Sequence, residues 1–86
     1  MSLISDDAQQ FIDQLPPKPR RQVARSITRM EQDPFRGGVL PLLQGEEWKG
    51  YYRKRTGDYR IVFFPHRQQR TVSIAWVFRR SEKTYR

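Results

Sequence analysis

The stretch Tyr52-Arg53-Lys54-Arg55-Thr56-Gly57-Asp58-Tyr59-Arg60-Ile61-Val62-Phe63 decides the fold. Gly57-Asp58 sits between two runs of β-branched, aromatic and basic residues, the pattern of a hairpin closed by a tight turn. One strand is expected over 48–56 and the next over 59–64. Pro65 to Gln69 turns the chain again, and a third strand is expected over 71–78. Side chains alternate across a strand, so Tyr59, Ile61 and Phe63 share one face while Arg60, Val62 and Phe64 share the other. In the last strand Val72, Ile74, Trp76 and Phe78 form the bulkier set, against Ser73, Ala75, Val77 and Arg79. Placing the bulkier sets in the core leaves Arg53, Arg55, Arg60 and Arg79 together on the opposite face. By the same pattern Trp48, Trp76 and Tyr59 are expected as core residues rather than base-stacking surfaces.

N-terminal to this region the period changes. Phe11, Ile12 and Leu15 mark one side of a short helix capped by Asp6 or Asp7, which Pro16-Pro17 terminates. A second helix begins around Pro17 to Pro19, where a missing backbone donor costs little. It carries Val23, Ile27 and Met30 inward, with Arg20, Arg21, Arg25 and Arg29 on its wet side. Asp33-Pro34 ends it, because a residue before proline is biased away from helical geometry. Residues 34–47, with two prolines and three glycines, read as a connector pinned to the core by Leu40, Leu42 and Leu43. The expected architecture is α+β: an N-terminal helical hairpin packed on one face of a small antiparallel sheet, in a single domain over 1–86.

The 86 residues allow only a modest core, so a site is expected on an open face or groove rather than in an enclosed cavity. With no cysteine, disulfides, thiolate metal sites and cysteine nucleophiles are excluded. His66 is the single histidine and is expected as a solvated loop residue, without partners for a metal; neither metal nor cofactor is expected. No apolar run reaches membrane-spanning length and no signal-peptide pattern is present, which reads as a soluble, cytoplasmic protein without membrane contact. The net charge is +8, and its distribution is uneven. Residues 1–48 carry 6 basic and 7 acidic side chains, whereas residues 49–86 carry 11 basic and only 2 acidic ones. A patch of that sign attracts phosphate backbones or an acidic protein partner, and arginine favours bidentate grip on phosphate.

At the hairpin the chain resembles the RelE/ParE toxin superfamily of type II toxin–antitoxin systems. Tyr52 to Phe63 is similar to that family's strand–turn–strand signature with its Gly-Asp-Tyr-Arg-Ile core. Asp33-Pro34-Phe35-Arg36-Gly37 and Leu43-Gln44-Gly45 resemble the loop before the sheet, and Val77-Phe78-Arg79-Arg80 with Tyr85 resembles the closing strand and tail. The resemblance spans Phe11 to Tyr85. It implies a RelE-like mRNA interferase: a hydrolase that inhibits translation by cutting messenger RNA in the ribosomal decoding site, without metal. Its partners would be a cognate antitoxin and the ribosome.

Carried over by position, the family's basic residues fall on Arg53, Arg55 and Arg60, and its late tyrosine on Tyr85. The last-strand arginine falls on Arg79 when counted back from Tyr85 and on Arg80 when the strand end is aligned; strand alternation favours Arg79. Lys49, Lys54 and Lys83 add cationic positions for RNA. The family also opens with a strand, for which only 1–5 is available, and Lys54 stands where a helix-facing apolar residue is usual, its head free to snorkel outward. The alternatives are a ParE-like inhibitor of DNA gyrase and a non-enzymatic nucleic-acid-binding module. For the arginine face alone, a solvated surface or a dock for an acidic partner also fits, and Tyr85 could equally be packed on the sheet edge.

Overall fold

The computed structural model describes residues 2–42 and 48–80. Strand β1 (Ser2–Ile4) leads into helices α1 (Asp6–Asp13) and α2 (Pro17–Gln32). Strands β2 (Val39–Pro41), β3 (Tyr52–Thr56), β4 (Tyr59–His66) and β5 (Thr71–Arg79) follow. All five strands form one sheet in the order β1-β5-β4-β3-β2. The α+β class and the helical hairpin on one sheet face are as expected. The sheet, however, is mixed rather than antiparallel throughout, because β1 runs parallel to β5.

Local chemistry explains the helix ends. Ser5, not Asp6 or Asp7, caps α1: its Oγ accepts from the Ala8 N–H at 3.1 Å and donates to the Ala75 carbonyl at 2.7 Å. The cap therefore also ties α1 to β5. The two aspartates occupy the first turn, where negative charge suits the helix dipole. Pro17 opens α2 as its first residue, and Val23, Ser26, Ile27 and Met30 bury along one stripe. Ser26 is tolerated there because its hydroxyl meets that of Thr56 at 2.8 Å, so neither buried group goes unpaired.

The core lies between helices and sheet. Ala8, Ile12, Leu15, Val23, Ile27 and Met30 meet Tyr59, Ile61, Phe63, Val72, Ile74 and Val77. The connector differs from its expected role. Part of it forms β2, where Val39 packs against the core while Leu40 stays exposed; Leu42 is half-buried, and Leu43 lies outside the described residues. Strand β3 begins at Tyr52 rather than Trp48. Strand β4 runs two residues past Phe64, through Pro65 to His66. Pro65 fits because β3 pairing ends at Tyr52↔Phe63, so the missing N–H faces no neighbouring strand.

The most consequential departure is in β5. Phe63 pairs with Ile74 but Val62 pairs with Trp76, so Ala75 is an extra residue in a β-bulge. Beyond it the alternation is inverted. Val77 and Arg79 lie on the helix side, and Trp76 and Phe78 lie on the other.

Candidate nucleic-acid interface

The face turned away from the helices is assembled from four strands in register. Arg55, Arg60 and Phe78 form one cross-strand row, and Leu40, Arg53, Val62 and Trp76 form the next. Arg55 and Arg60 stand directly opposite each other. Like charges in that position oppose sheet formation, so this pairing is not explained by stability. The Arg60 guanidinium donates to the Tyr59 carbonyl at 3.0 Å and to the Gly57 carbonyl at 3.4 Å, which fixes it over the hairpin turn.

Electrostatics identify the neighbours of Arg60. Partial burial lowers its pKa below the ordinary arginine value. The charges of Arg55, Arg53 and Arg80 lower it further, with Asp58 opposing. Three guanidiniums thus act on a fourth, and a single carboxylate offsets them. An incoming phosphate would relieve that repulsion, and planar guanidinium groups suit its oxygens.

The last-strand arginine of this face is Arg80, not Arg79. Arg79 pairs with Tyr59 and lies over its ring, 5.9 Å from the centroid, on the helix side. Arg80 follows Phe78 onto the Arg60 side, and its N–H is held by the Asp58 carbonyl at 2.8 Å. The expectation for Arg79 assumed unbroken alternation, which the Ala75 bulge ends.

The candidate lysines are dispersed. Lys49 is exposed in the turn between Trp48 and Tyr51. Lys54 projects to the helix side, where its Nζ donates to the Arg36 carbonyl at 2.6 Å, so it does not join the arginine face. Burial lowers the Lys54 pKa and Asp33 raises it, while Arg29 and Arg36 lower it further. Lys83 and Tyr85 lie outside the described residues. His66 is half-buried rather than a solvated loop residue, with Nε2 2.7 Å from Ser73 Oγ. Among the described residues no group of three His, Asp or Glu side chains is placed to hold a metal.

Sequence reasoning missed the aromatic part of this face. Trp76 stacks on Trp48, centroids 5.9 Å apart and planes within 13°. Tyr51 meets Trp48 edge-on at 5.2 Å and Phe64 at the same distance. The two tryptophans were assigned to the core by uniform alternation, and only Tyr59 of that trio lies there. The only hint in the sequence is that both alternating sets of β5 carry large apolar residues.

The fold has counterparts among solved structures. The toxin–antitoxin complex RelBE2 from Mycobacterium tuberculosis superposes with a TM-score of 0.76 and 25% identity, covering 93% of this chain and 96% of that one. The archaeal RelE–RelB complex from Pyrococcus horikoshii gives 0.76 at 20% identity, covering 95% and 96%. The YoeB/ParE toxin from Agrobacterium tumefaciens gives 0.72 at 17%, covering 91% and 95%. No protein-family model and no curated protein matches the chain in sequence. No described helix is long and apolar enough to cross a membrane. Over nearly its whole length the chain has the fold of RelE-like toxins, to which these comparisons show it is similar.

Proposed function

We propose that this protein is the toxin of a type II toxin–antitoxin pair and acts as a ribosome-dependent, cytoplasmic endoribonuclease on messenger RNA. The observation that carries this reading is the convergence of Arg53, Arg55, Arg60 and Arg80 on one sheet face. In the reaction the 2′-oxygen attacks the adjacent phosphorus, the bond to the 5′-oxygen breaks, and a 2′,3′-cyclic phosphate forms. The 2′-hydroxyl proton is removed, and the leaving 5′-oxygen takes up a proton. Arginine stays protonated and is a poor base. Its contribution is to stabilise the negative charge that builds on the phosphorane oxygens, commonly the largest single catalytic effect. Tyr85, at the position of the family's late tyrosine, would orient or deprotonate the 2′-hydroxyl or stack on a base. The ribosome would supply the attack-ready conformation of the RNA that this small site does not impose alone.

Two of the similar structures, from Mycobacterium tuberculosis and Pyrococcus horikoshii, are complexes with antitoxins. For this chain we infer an antitoxin with an acidic segment that folds over the basic face or displaces the tail carrying Tyr85. Primer extension on a translating message, with purified protein, tests the activity. New 5′ ends within ribosome-bound codons, abolished by the antitoxin, are expected. An intact message together with inhibited gyrase would replace this reading with the ParE-like one.

A further inference from the structure

We propose that the Trp48–Trp76 stack is a platform for an unpaired base of the RNA whose phosphates the arginines hold. The proposal rests on the nucleic-acid reading of the arginine face and specifies how a strand lies across it. The bulge at Ala75 is its first support. Bulges re-aim side chains next to functional sites, and this one moves Trp76 and Phe78 from the helix side onto the arginine side.

The second support is how the aromatic groups divide their roles. Val62 and Phe78 are almost fully buried, whereas Trp48 and Trp76 on the same side of the sheet remain only partly buried. Parallel rings with centroids 5.9 Å apart are offset, so each indole leaves part of its plane uncovered by the other. A base can extend such a stack.

The third support is position. Trp76, Val62 and Arg53 pair in one row across β5, β4 and β3, which sets the backbone positions of Trp76 and Arg53 two strand spacings apart, about 10 Å. A strand gripped at Arg53 therefore brings a neighbouring base over the tryptophans. Interleaved cations and aromatic planes are the usual means of holding single-stranded nucleic acid.

The chain has two tryptophans, both in this stack, so its indole fluorescence reports on the platform alone. An unstructured oligoribonucleotide and an abasic strand of equal phosphate count would be titrated into the full-length protein at low salt. The base-bearing strand is expected to quench the emission and to bind about tenfold tighter, in line with one stacked base. The abasic strand should bind without quenching. Trp48→Ala should remove the tenfold advantage and leave abasic binding unchanged, while Trp48→Phe should retain part of it. Equal affinities with unchanged emission would overturn the platform and leave the arginine face standing. Failure of both strands to bind would sink the arginine face and the platform with it. The wild-type comparison decides even if a variant does not fold.

Discussion

The Arg55–Arg60 pair sets residues required for the proposed chemistry against residues that favour the fold. Two cations in direct register across an antiparallel pair cost stability, and neighbouring charges add to the cost. Arg55→Thr, which keeps a good strand former, should therefore raise stability by about 0.2–1 kcal/mol in a denaturant titration while cleavage falls. A loss of stability would mean that Arg55 has a structural role. Arg60→Lys should rescue cleavage poorly, since a point charge does not reproduce bidentate contact with phosphate. Lys54 is held below its ordinary pKa chiefly by burial, so its charged form disfavours the folded state, and the penalty is relieved once rising pH deprotonates it. The stability of Lys54→Met relative to wild type should thus be greatest at neutral pH. It should decline as the pH rises through the folded-state Lys54 pKa, as followed by thermal melting. An advantage that grew with pH would contradict the assignment.

Among the elements, β5 shows where sequence patterning reaches its limit. Both helices are legible because each has one apolar and one polar side. The hairpin from Tyr52 to Phe63, with its Tyr59–Ile61–Phe63 core face, is legible because Gly57-Asp58 marks the turn and Arg53, Arg55 and Arg60 mark the outer face. In β5 both sets are largely apolar, so an inserted residue leaves no mark in the alternation, and Trp76 and Arg79 were placed on the wrong faces. The short edge strands leave no periodic pattern of their own, and only β1 was expected, from the resemblance. β1 depends on a partner 70 residues away in sequence, for example Ser2 on Val72, and β2 lies in a proline- and glycine-rich connector. The bulge gives a direct prediction. Deleting Ala75 removes the extra residue and keeps every later side chain on its present face. The variant should fold, with a loss of about 1 kcal/mol for disturbing the contact to the Ser5 cap, measurable by chemical denaturation. Had β5 been regular, the same deletion would invert Trp76 to Arg79 and prevent folding.

For the molecule as a whole, helices and their core occupy one side of the sheet, and the other side carries arginines beside a cluster of aromatic rings. The excess positive charge of residues 49–86 is therefore not spread uniformly, since four arginines share one face. Arg79 and Arg80 provide the sharpest contrast, adjacent in sequence and on opposite sides of the sheet. The most direct measurement is single-turnover cleavage of a ribosome-bound message by wild type, Arg80→Ala and Arg79→Ala. Both arginines are exposed, so each variant should stay within about 0.5 kcal/mol of wild-type stability. Arg80→Ala should slow cleavage by on the order of a hundredfold, as for removal of a positioned charge donor, and Arg79→Ala by only a few-fold. Full activity in Arg80→Ala with loss in Arg79→Ala would contradict the four-arginine face.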